Sequence, residues 1–288
     1  MTETWLQGVS ERLIPTSLGL INVRDGGEPQ GPALIFWPSL MMDGTMWRRQ
    51  YEHFAPTHRV VLIDSPGHGK SDALRGIIDL KGCADALVRI QDALGIDKAV
   101  LIGNSWGGML AGVFPAYHPD RVLAAVGINC TASLPTTFES VWATALAGYL
   151  SLNSKMPALA LRAARGAFAG PTAEADRPEF VDYLSVVLRN DPKSVAWALR
   201  GILIGRRDEH RLLATITDVP VLIIAGEEDS QFPVHVVRRM ADAIPTATFK
   251  VLPHTGHLAA RENPEAVNAE IDAFLAGLPV PVPVPESV

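Results

Sequence analysis

Apolar and polar positions along this chain follow two different rhythms, and the boundaries between them outline its organisation. Short, largely apolar runs lie at Ala33–Trp37, Arg59–Ile63, Lys98–Ile102, Val122–Ile128 and Val221–Ala225, and Thr248–Leu252, with Lys250 at its centre, reads as another strand. Runs of strand length without in–out alternation fit strands covered on both faces, as in a parallel sheet. Two further strand-like runs lie within Glu11–Asp25, around Ser17-Leu18-Gly19. Helical stretches separate the core runs. One opens directly after Ser105 and extends over Met109–His118, where Pro115 is the only breaker. From about Thr131 to Ala214 the alternation of strand and helix stops. That stretch holds several helical patterns broken at Pro135, Pro157, Pro171, Pro178 and Pro192, before the chain re-enters the sheet at Val219. The expected fold class is α/β: a mostly parallel central sheet, helices on both faces, and one helical insertion. The expected division is a core over 1–130 and 215–278, with the insertion over 131–214. Residues 279–288 follow as a Pro/Val-rich tail, which reads as an extended polyproline-type segment.

Composition changes this picture little. A chain of 288 residues with 48% apolar and 19% charged residues suits one large α/β domain, or one domain with an insertion. The net charge of −6 provides no basic footprint, so no nucleic-acid partner is expected. No apolar run reaches 18 residues, so no membrane span is expected. The opening Met1-Thr2-Glu3-Thr4-Trp5-Leu6 lacks the basic and apolar regions of a secretory signal, and a cytoplasmic location is expected. Cys83 and Cys130 fit no metal-binding spacing. Both read as free thiols, and neither a metal nor an organic cofactor is expected.

The chemistry concentrates in Gly103-Asn104-Ser105-Trp106-Gly107, a G-x-S-x-G sequence between an apolar strand and a helix. A strand that turns into a helix within a residue or two adopts a strained backbone, and glycines at 103, 107 and 108 remove the side chains that would collide. The serine is then lifted above the sheet at a helix N-terminus, where N–H groups favour negative charge. A nucleophilic serine needs a base, and the base needs an orienting acid. The acidic loop Gly226-Glu227-Glu228-Asp229-Ser230 and the loop Pro253-His254-Thr255-Gly256-His257-Leu258 each follow a strand-like run and supply candidates for both.

With these segments and Asp64-Ser65-Pro66-Gly67-His68-Gly69-Lys70-Ser71-Asp72, the chain resembles the α/β-hydrolase superfamily along most of its length. The resemblance implies Ser105 as nucleophile, His257 as general base and Asp229 as the acid. Glu227 and Glu228 are the rivals for the acid. His254 lines the site or braces its loop. An acid after the preceding strand is disfavoured, because Asn129-Cys130 stands there and an amide cannot stabilise an imidazolium. Asp64 and His68 take a structural role in the turn beneath the elbow. The resemblance places two oxyanion donors, the backbone N–H of Trp106 and one in Pro38-Ser39-Leu40. Pro38 has no N–H, and matching Met46-Trp47 to the start of the next helix in relatives places Pro38-Ser39 at their His-Gly, which implies Leu40 as the donor, with Ser39 as the alternative. The insertion resembles the helical cap of the superfamily. Its Trp142, Tyr149, Phe168, Tyr183 and Trp197 are candidates to face the site or to pack the cap's own core.

The expected activity is hydrolysis of a carboxylic ester or lactone with an apolar portion. Ser39, Met41, Trp142 and Trp197 are the expected substrate-binding residues. Ser39-Leu40 and Gly256-His257-Leu258-Ala259 look similar to the enol-lactonases of this superfamily. Gly103-Asn104-Ser105 also resembles its carbon–carbon bond hydrolases, although Leu40-Met41-Met42 and Leu258 depart from their pattern. A serine at the elbow argues against dehalogenation, for which relatives carry aspartate. The other class kept open is a ligand-binding protein of this fold with little turnover.

Overall fold

The computed structural model describes residues 4–6, 8–158 and 178–278. Eight strands form one sheet: β1 (Ser10–Thr16), β2 (Gly19–Gly27), β3 (Ala33–Trp37), β4 (Arg59–Ile63), β5 (Ala99–Asn104), β6 (Val122–Ile128), β7 (Val221–Gly226) and β8 (Ala247–Leu252). Their order across the sheet is β1-β2-β4-β3-β5-β6-β7-β8. β1–β2 and β2–β4 are antiparallel, and every later pairing is parallel. Every residue of β5 and β7 is buried, which explains their unbroken apolar runs.

Helices cover both faces. α1 (Arg48–Phe54) follows a 3-10 turn over Gly44–Trp47. It is followed by α2 (Leu80–Leu94), α3 (Trp106–Tyr117), α4 (Thr137–Ser151), α5 (Pro178–Arg189), α6 (Pro192–Ala198), α7 (His210–Leu213), α8 (Val234–Asp242), α9 (Ala259–Glu262) and α10 (Pro264–Ala276). Side chains alternate across the sheet into two cores. Leu101, Leu87, Phe114 and Met240 lie in one, and Val100, Phe36, Phe54 and Ile271 in the other. α4 to α7 lie between β6 and β7, in the stretch where the strand pattern lapsed. Thr136 and Glu139 close a reciprocal capping box at the start of α4. The turn Leu199–Ile204 is π-helical. Pro115 does not stop α3; it falls in the last turn, and the helix closes with His118 N–H donating to Phe114 O at 2.8 Å. The proline-rich tail and Phe168 lie outside the described residues. No helix among the described residues is long and apolar enough to cross a membrane.

Candidate active site

The C-terminal ends of β3, β5, β6, β7 and β8 open on one side of the sheet, where ligands of open α/β sheets bind. Ser105 follows β5 with φ 55° and ψ −111°, outside the regions L residues favour. The surrounding backbone holds it there. Its N–H donates to Ile128 O at 2.8 Å, and its carbonyl accepts from Met109 N–H at 2.8 Å. The glycines make this possible by close approach. A Cβ on Gly103 would lie 2.0 Å from the Gly107 carbonyl carbon and oxygen, and one on Gly107 would lie 1.9 Å from Trp37 O.

Asp229, in the loop after β7, accepts the N–H groups of Gln231 and Phe232 on Oδ1, at 2.7 and 3.1 Å. Its other oxygen lies 2.9 Å from His257 Nδ1. A carboxylate only accepts, so Nδ1 carries the proton that faces it, the tautomer in which the neutral ring has its lone pair on Nε2. Phe232 packs edge-on against the imidazole. Two asparagine amides hold the loop of His257. Asn104 Nδ2 donates to His257 O at 2.9 Å, and Asn129 Nδ2 donates to the same oxygen at 2.8 Å. Asn129 also donates to Gly256 O and accepts Gly226 N–H. Asn129 thus ties the loops after β6, β7 and β8 together without supplying charge.

Ser105 and His257 open on a cavity of ≈ 100 Å³, also lined by Ser39, Leu40, Met41, Trp106, Trp142, Leu146, Tyr183, Leu199, Ile202, Leu203, Gln231, Phe232 and Leu258. Its walls are mainly apolar. Among the described residues no carboxylate, lysine or arginine lines it. The turn after β3 is closed by Met42 N–H donating to Ser39 O at 3.1 Å, with Met41 at φ 66°. Leu40 is second in this turn, and its N–H takes no part in the closing bond. Trp106 is the first residue of α3, where backbone N–H groups have no partner in the preceding turn.

The other expected residues separate clearly. Trp142 and Tyr183 reach the cavity. Trp197 does not line it; Arg200 stacks over its ring at 4.9 Å. Tyr149 is exposed and away from the lining. His254 is also outside: its N–H donates to Glu227 and its exposed ring faces Glu228. Asp64 is fully buried among the Arg24 guanidinium, Asn22 and the N–H groups of Gly44 and Lys70, a structural knot behind the site. His68 is buried edge-on against Trp106, its Nδ1 on Pro66 O at 3.0 Å. Burial pushes its pKa down to about 4, against the opposing pull of Pro66 O and Asp64. Leu199, Ile202 and Leu203 were missed from sequence, although their i, i+3, i+4 spacing marks one helical face.

A family model described as the alpha/beta hydrolase fold matches residues 32–264. The chain belongs to the α/β-hydrolase family. A protein of Caulobacter sp. (strain K31), provisionally named carbamate hydrolase RutD, is 29% identical over 262 residues, 88% of this chain and 94% of that protein. The 3-oxoadipate enol-lactonase 2 of Acinetobacter baylyi is 27% identical over 255 residues, 88% of this chain and 92% of the relative. Among solved structures, a thermophilic esterase from Thermogutta terrifontis superposes with TM-score 0.84 at 25% identity, covering 94% of this chain and 98% of that one. These relatives of the α/β hydrolase are named for hydrolysis of different bonds.

Proposed function

We propose that this α/β hydrolase cleaves a small, largely apolar carboxylic ester or lactone through an acyl-enzyme on Ser105. The observation that carries the reading is the pairing of His257 Nδ1 with Asp229 beside a serine held at φ 55° on the same cavity. His257 Nε2 takes the Ser105 proton as Oγ attacks the substrate carbonyl carbon. Asp229 holds the tautomer and stabilises the imidazolium. The N–H groups of Trp106 and Leu40 receive the oxyanion. Collapse expels the alcohol oxygen, protonated by His257, and leaves the acyl group on Ser105. Water, deprotonated by the same imidazole, then releases the acid. Helices α4 to α7 act as a cap that shields the acyl-enzyme, with Trp142 and Tyr183 against the substrate.

Size and charge of the cavity narrow the substrate. About 100 Å³ is small beside the several hundred of a drug-sized site, which suits a short acyl chain or small ring. The apolar lining favours an uncharged group next to the scissile bond. The test is a panel of p-nitrophenyl esters and γ- and δ-lactones of graded length, with Ser105→Ala as control. Multiple turnover that is fastest on short neutral substrates and absent in the variant supports the reading. Cleavage of a β-diketone without ester hydrolysis would move it to carbon–carbon bonds. Stoichiometric binding without turnover would move it to a ligand-binding protein.

A further inference from the structure

Asn190 joins the helical insertion to the turn that carries the proposed oxyanion donor. It follows α5 and is buried. Its Nδ2 donates to Met41 O at 2.8 Å, across 149 residues of sequence. The same amide also approaches Val186 O and Val187 O at 3.3 and 3.5 Å, both at the weak end of hydrogen-bond distances. The strong bond is therefore the one that leaves the helix. A plain helix-ending role would favour the local carbonyls instead.

The residue it grips is unusual. Met41 has φ 66°, the left-handed region that L side chains avoid and that glycine adopts freely. A non-glycine persists there when its surroundings over-determine it. On one side the turn bond from Met42 to Ser39 helps, and on the other Arg189 lies 3.6 Å from Asp43. Consecutive residues of the insertion thus hold both flanks of Met42. Met41 O shares its peptide plane with the Met42 N–H, which donates to Ser39 O, and Ser39 O shares its plane with the Leu40 N–H, so the grip on Met41 O reaches the Leu40 N–H through the turn bond.

We propose that Asn190 is a positioning residue for the oxyanion hole, holding the Met41 carbonyl so that the Leu40 N–H faces the Ser105 adduct. This rests on the hydrolase reading above.

The experiment measures p-nitrophenyl acetate hydrolysis and melting temperature for wild type, Asn190→Ala and Asn190→Asp. The Asp variant keeps the shape but has no N–H to give Met41 O. Both variants are expected to lose 10- to 100-fold in kcat with KM within twofold, since the contact acts on the transition state. The decisive comparison repeats Asn190→Ala in a Met41→Gly background, where the left-handed conformation carries no side-chain strain for Asn190 to offset. There the loss in kcat should shrink to less than threefold. An unchanged kcat in both single variants overturns the proposal. So does a loss of the same size in both backgrounds, which a purely stabilising role would produce. A wild type with no turnover and no acyl-serine overturns the hydrolase reading and this proposal together, whereas an active wild type with indifferent Asn190 variants overturns this proposal alone.

Discussion

His68 gives the clearest quantitative prediction because it is completely buried, faces Trp106, and keeps its ring neutral. Its pKa lies near 4 in the folded chain against 6.5 when exposed. A base depressed in this way binds its proton in the unfolded chain first. The contribution is fully present above about 6.5 and is lost as pH falls toward 4. Between pH 8 and pH 5 the linkage amounts to roughly 2 kcal/mol, a large share of the ~5–15 kcal/mol that typically holds a domain together. Urea unfolding of wild type and His68→Gln across that range isolates it. The variant can be less stable at pH 8; the prediction concerns the change with pH, which should be smaller in the variant by that amount. The His68 ring proton shift should likewise stay flat down to pH 5. Equal pH slopes in the two proteins, or a ring titrating near 6.5, would refute the reasoning.

Three further expectations are independent of that one. Gly107→Ala drives a Cβ to 1.9 Å from Trp37 O and should cost at least ~3 kcal/mol, whereas Gly148→Ala on α4 meets open space and should gain up to ~1 kcal/mol; paired thermal melts separate them. Asp229→Asn should lower ester kcat by roughly 10³-fold or more, while Glu228→Gln, whose side chain meets the exposed His254, should stay close to wild type. Burial pushes the thiols of Cys83 and Cys130 far up, so iodoacetamide should leave the native protein unmodified at pH 8 and alkylate both after unfolding, as read by mass spectrometry.

What could be read in the sequence follows how local each cause is. The elbow was legible because its sterics involve residues within a few positions: a glycine at 103 is needed by the residue at 107. The strands at 33, 59, 122 and 221 were legible because double-sided burial leaves continuous apolar runs. The helix expected through Pro115 to His118 was legible because the apolar run continues past the proline, which falls in its last turn. Trp142 and Trp197 have the same chemistry at the sequence level, yet only the first reaches the cavity. Which face of an inserted helix meets the core depends on packing, and periodicity does not record it. Asn104, Asn129 and Asn190 were opaque for a related reason. Each acts through a backbone carbonyl, and a carbonyl leaves no mark on residue type.

The central claim is that Ser105 is an activated nucleophile served by His257 and Asp229. The most direct test is peptide mapping by mass spectrometry after treatment with a fluorophosphonate, comparing wild type, Ser105→Ala and His257→Ala. One adduct on Ser105 in the wild type, none in Ser105→Ala and a strongly slowed adduct in His257→Ala is the predicted result. An adduct on another serine, or labelling of Ser105 at the same rate without His257, would contradict it.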